Sequence, residues 1–184
     1  HDLAVSGTLD TGTFAGHAKR AVLWTREAIS KKSLQKLSQL KPSARYRDLL
    51  LSHGAPEDPV WSYILSGEDA RYSFSMNDFK CCLSGHSHIP GAFLLKEGPR
   101  AEIETQYGST GSIVRYAETG LRSLLNPGSV GFPRDAEDAH SQDSLKHAVA
   151  RYAILDTDAG IWQFKSAVYD MRPTAEKMVK CALW

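Results

Sequence analysis

Apolar positions recur along the chain in two rhythms. Over residues 12–40 they come at three- and four-residue steps. In AGHAKRAVLWTREAI, Ala18, Val22 and Ile29 share one face, which predicts a helix. Ser30 and Ser33 then offer N-cap hydroxyls to a second short helix, LQKLSQL, which stops at Lys41-Pro42. Beyond Pro42 the rhythm changes to short apolar runs that end in polar turns. Leu49–Leu51 reads as a buried strand with a loop at its C-terminal end. PVWSYILS, led by Pro59, and DARYSFSM read as short helices. FKCCLSGHSHIPGAFLL reads as strand, loop, strand. Residues 100–125 are strands and turns punctuated by Gly108, Gly111 and Gly120, and SLLNPGSVGFPRD is a strand running into a Pro/Gly loop. RYAILDTDAGIWQFKSAVY reads as a hairpin about Asp158-Ala159-Gly160, and TAEKMVKCALW as a closing helix capped by Thr174. The polar stretch 135–146 reads as a mobile loop. Helices and strands first, then mostly antiparallel strands, describe a layered α+β domain.

Composition adds little. The 184 residues are 42% hydrophobic and 23% charged, enough for one substantial core. A formal charge of +1 gives no sign of a nucleic-acid surface or an acidic tail. No apolar run approaches the ~20 residues that span a bilayer, and no signal-peptide pattern is present. The three cysteines, Cys81, Cys82 and Cys181, include a vicinal pair that points to opposite strand faces. This is a poor disulfide framework and fits a reducing cytoplasm, and no Cys-x-x-Cys offers a structural zinc site.

The histidines change the picture. His53, before Gly54, follows the run Leu49–Leu51, while His86 and His88 follow Leu83 and Gly85. A loop after a buried strand fixes a side chain while leaving it open to a ligand, and imidazole binds divalent transition metals through either nitrogen. In an extended His-x-His both rings would point the same way, toward one ion or two adjacent ones. His17, His140 and His147 read as solvated surface. Asp156 and Asp158, in LDTDAG, read as turn formers, and Asp58 reads as a turn or helix cap. Trp61, Tyr63, Tyr72 and Phe74 could wall a substrate pocket, with core packing the expectation for at least half of them.

In order along the chain, LLLSHGAPEDP, LSGHSHIP and NPGSVGFPRD are each a strand entering a Gly/Pro loop. With the opening His-Asp, this order resembles the calcineurin-like metallophosphoesterase superfamily, most of all its small bacterial phosphoesterase and phosphodiesterase branch. The resemblance covers nearly the whole chain. It implies a four-layer αββα sandwich, with two mixed β-sheets packed face to face and helices outside. It implies one domain over residues 1–184.

The same resemblance assigns roles and a cofactor. Two divalent metal ions (manganese, iron, zinc or nickel) are implied. His53 and His86 would hold one of them and His88 the other. His1 would protonate the leaving oxygen with Asp2 behind it. Arg134 would meet a phosphate oxygen or else pair with Asp135. Asn126 would touch the substrate or metal shell or else orient its loop, the latter being the reading that Asn-Pro-Gly turn chemistry favours. The family's other ligands come from an Asp-x-His, a Gly-Asp-x-x-Gly and an Asn before the His-Asp, none of which is in these 184 residues. The simplest expectation is that the protein continues before His1 and that the missing part carries central strands. Residues 1–184 made alone would then be insoluble or molten.

The function implied is hydrolysis of phosphomonoesters or phosphodiesters, nucleotide-type substrates being favoured, with His1 as general acid. The partner is a small-molecule phosphate ester, and self-association into a homo-oligomer is left open. The competing reading is a member of the fold that has lost catalysis and serves as a protein-binding scaffold. Retention of His1, His53, His86 and His88 together favours the enzyme.

Overall fold

The computed structural model describes residues 2–98, 101–134 and 147–183. These fall into two units, one of residues 1–41 with 171–184 and one of residues 42–170.

The first unit is helical. Helices α1 (Asp2–Ser6), α2 (Gly16–Ala28) and α3 (Lys31–Ser38) share a small core of Ala4, Val5 and Val22, against which Phe14, Ile29, Leu34 and Leu37 pack. The Arg26 guanidinium donates to the carbonyls of Ala4 and Val5, satisfying groups that the short α1 leaves without helical partners. Ser30 caps α3 as its hydroxyl predicts. Helix α5 (Arg172–Lys180) starts at Met171 with Pro173 in its first turn. The cap expected from Thr174 is not made, because the proline sets the helical start ahead of it.

The second unit is built on a six-stranded mixed sheet. Its strands are β1 (Ser43–Tyr46), β2 (Leu49–Ser52), β3 (Cys81–Leu83), β4 (Pro90–Lys96), β5 (Ile103–Tyr107) and β7 (Leu121–Pro127), in the order β1-β2-β3-β7-β4-β5. β2, β3 and β7 are parallel neighbours, and the other pairs are antiparallel. A second sheet of β6 (Ile113–Arg115), β9 (Ile161–Asp170) and β8 (His147–Asp156) is antiparallel throughout. The expected pair of sheets is present, and the three-stranded one is antiparallel in that β8 and β9 are joined by a hairpin turn, which allows only antiparallel pairing. Asp156 makes that turn, its carboxylate accepting from the backbone N–H of Asp158 and Ala159.

Side-chain alternation sorts the core. Cys81 and Leu125, with Leu83 beside them, face the three-stranded sheet and meet Val114, Tyr116, Trp162 and Phe164. Cys82, Leu124 and Phe93 face the other way, toward Ala70 and Phe74 of helix α4 (Gly67–Met76) and toward Phe79 and Ile64. Packed on both faces, β3 reads as a continuous apolar run, whereas Arg122 and Ser123 interrupt β7. Helix α4 is fixed at its start by a reciprocal Ser66–Asp69 capping box. At its end the Arg122 guanidinium donates to the carbonyls of Phe74, Asn77 and Phe79.

The helix expected over Pro59–Ser66 does not form. The Asp58 carboxylate accepts from Val60 N, Trp61 N and Ser62 Oγ, while Pro59 O and Ser62 O accept from Gly54 N and Ala55 N. Side-chain competition for the backbone folds the segment back onto the end of β2 instead of winding it. Residues 135–146, including His140 and Asp135, lie outside the described residues. Among the described residues no helix is long and apolar enough to cross a membrane.

Candidate metal centre

Three adjacent parallel strands end at one edge of a sheet, where α/β folds place their ligands. His53 follows β2, the loop of residues 84–89 follows β3, and the loop of residues 128–134 follows β7. Hydrogen bonds stitch these loops together. Ser84 N donates to Leu125 O and Gly85 N to His53 O, both at 2.9 Å. Asn126, 3% exposed, bridges two of them: its Nδ2 donates to Gly85 O at 2.8 Å and Ser87 Oγ at 2.9 Å, and its Oδ1 accepts from Gly128 N at 2.9 Å. Asn126 is thus a positioning residue between the second and third loops.

Within this frame two imidazoles converge. His53 Nε2 lies 3.1 Å from His86 Nδ1. Two nitrogens each ~2.0–2.1 Å from a shared ion, at angles from square to tetrahedral, would lie about 2.8–3.4 Å apart. The pair therefore fits two ligands of one ion. Burial pushes the His86 pKa below the usual imidazole value, opposed by a hydrogen bond to the Trp61 backbone, and the neighbouring His88 and Arg134 act in the same direction as burial. A depressed pKa keeps the ring neutral and its lone pair ready for a cation.

His88 is oriented differently. Its Nδ1 is 2.7 Å from Phe132 O. A carbonyl only accepts, so Nδ1 carries the proton and Nε2 the lone pair, which is the arrangement that metal-bound histidines adopt. The expectation of an extended His-x-His is corrected here. His86 and His88 both sit at positive φ, 64° and 63°, in the left-handed region. Their rings diverge, one to His53 and Tyr63, the other to Phe132. A left-handed residue costs ~1–2 kcal/mol, and two here mark a loop held by its surroundings.

Each histidine also carries an aromatic ring. Tyr63 stacks on His86 at 4.0 Å and 8°, and Phe132 meets His88 edge-on at 5.9 Å and 84°. The Arg134 guanidinium lies over the Phe132 ring at 5.4 Å, and the Arg134 backbone N–H donates to His88 O. Phe74 belongs to the core, whereas Trp61, Tyr63 and Tyr72 are exposed. Phe132 gave no sequence signal of its own beyond its place in a Gly/Pro loop.

Among the described residues no group of three His, Cys, Asp or Glu side chains is close enough to hold an ion. The described residues bring His53 and His86 together and turn His88 away from them. His1 lies outside the described residues, and of Asp2 only the backbone is described.

No family model matches the chain. An uncharacterized protein of Methanocaldococcus jannaschii is 28% identical over 193 residues, covering 98% of this chain and 67% of that protein. The crystal structure of a metallophosphoesterase from Sphaerobacter thermophilus matches the whole chain and 70% of its own, with a TM-score of 0.75 at 29% identity.

Proposed function

We propose that the chain, which shares its fold with a metallophosphoesterase, belongs to a metal-dependent hydrolase of phosphomonoesters or phosphodiesters of the calcineurin-like superfamily. The observation that carries this is the 3.1 Å convergence of His53 and His86 beside a His88 whose Nε2 is set as a lone-pair donor.

His53 and His86 would hold one divalent ion, and His88 would contribute to a second. When bound, such ions neutralise phosphoryl charge and acidify water. The chain's own residues have three further tasks. Asn126 holds the loops that carry the imidazoles. Arg134 offers a guanidinium suited to two phosphate oxygens. His1 would give a proton to the leaving oxygen, with Asp2 orienting it.

Manganese titration of the full-length protein tests the first assignment. His53→Ala and His86→Ala should each abolish binding of the same equivalent, and His88→Ala should affect the other. Release of phosphate or alcohol from a panel of mono- and diesters tests the second. Retained metal binding with no turnover on any ester would favour the scaffold reading.

A further inference from the structure

Resting on that reading, the loops around the histidines carry information about the organic part of the ester. Five large apolar side chains stand exposed on two of these loops. Trp61, Tyr63 and Leu65 occupy every second position of one loop at 50%, 43% and 55% exposure, and Val130 and Phe132 do so in the other at 60% each. Single exposed apolar residues are ordinary, but two alternating stripes that each lay a ring on a candidate metal ligand are not.

The attachment decides the use. Tyr63 has one face on His86 and remains 43% exposed. Phe132 has the Arg134 guanidinium over its ring and His88 at its edge, and is 60% exposed. A cation above an aromatic platform, beside an imidazole set to bind metal, presents positive charge for a phosphate and a π-surface for whatever the phosphate is joined to. Aliphatic alcohols gain little from such a surface, whereas planar rings stack on it.

We infer that the phosphate ester taken by this site carries a planar aromatic group, of nucleobase or phenyl type, which lies against Phe132 and Tyr63. The test is equilibrium binding to the manganese-loaded full-length protein of inorganic phosphate, methyl phosphate, phenyl phosphate and a nucleoside monophosphate, followed by calorimetry. Phenyl phosphate and the nucleotide should bind at least tenfold more tightly than methyl phosphate. Phe132→Ala and Tyr63→Ala should each bring phenyl phosphate and the nucleotide down to the affinity of methyl phosphate measured on the same variant. Phe132→Tyr should restore the advantage. Equal affinity for methyl and aromatic phosphates would overturn the inference alone. Failure of every phosphate to bind would overturn the phosphoesterase reading and the inference with it.

Discussion

Asn126→Ala probes how the histidine loop is held. His86 and His88 both occupy the left-handed region. At about 1–2 kcal/mol for each such residue, the loop stores roughly 2–4 kcal/mol of backbone strain. Against this, Asn126 makes three buried hydrogen bonds to the two loops at 2.8–2.9 Å. At about 0.5–1.5 kcal/mol net apiece they contribute ~1.5–4.5 kcal/mol. The two quantities match, so this side chain is enough to decide whether the strained conformation persists. After substitution Gly85 O keeps Ser87 N and Ser87 Oγ keeps Ile89 N, but Gly128 N loses its acceptor. The expected loss is about 3 kcal/mol, roughly a hundredfold in the unfolding equilibrium. Urea titration followed by far-ultraviolet dichroism measures it. Calorimetric titration with manganese should show at least a tenfold weaker site, because the relaxed loop no longer holds the imidazoles. Asn126→Asp keeps the acceptor for Gly128 N but turns the donor toward Gly85 O into another acceptor, so it should be no better than alanine. A stability change under about 0.5 kcal/mol with unaltered manganese affinity would refute the reasoning.

Four other outcomes are expected. Gly54→Ala places a methyl 2.5 Å from Ser62 O and 3.3 Å from Pro59 O, so thermal melting should show a loss of ~1–3 kcal/mol, with weaker metal binding through the adjacent His53. Burial pushes the Cys81 thiol up to about 11 and the Cys82 thiol up to about 12, so at pH 8 only Cys181 should react quickly with a maleimide, and all three should react in denaturant; three equal rates in the native protein would contradict this. The folded His86 pKa lies below its unfolded value, so the unfolded state binds protons more readily, and this group's contribution to stability, complete above the unfolded value of about 6.5, should fall as pH drops below it; chemical denaturation from pH 7.5 to 5 should show less of the decline in His86→Gln. His1→Ala should slow hydrolysis of esters with poor leaving groups by ~10²–10⁴-fold and of nitrophenyl esters far less, and equal losses on both would remove the general-acid role.

The sequence made some of this legible and hid the rest for identifiable reasons. The strands that carry the histidines were plain, because Leu49–Leu51 and Cys81–Leu83 leave unbroken apolar runs. The helix α4 was plain as well, its start written in the Ser66–Asp69 pair. Residues 59–66 were misread because an apolar run with a leading proline suits a helix, while the competing signal was one carboxylate, Asp58, that takes three local donors. The histidines themselves were found by residue type and loop position. Their divergence was not, since nothing in His-x-His announces two left-handed residues, and the bonds that impose them come from Asn126 and Phe132, about forty positions away. The stacking of Tyr63 on His86 was equally hidden, because it depends on how the segment after Asp58 folds back.

The left-handed pair also bears on how such a protein drifts over generations. Glycine or asparagine occupies that backbone region with little of the strain a histidine carries. Exchanging His86 or His88 for either would relax the loop as it removes an imidazole. Mutation at these two positions therefore runs downhill in folding energy, away from the imidazoles. Sequences that replace either histidine in this way are expected to keep the fold and to be slightly more stable than this chain.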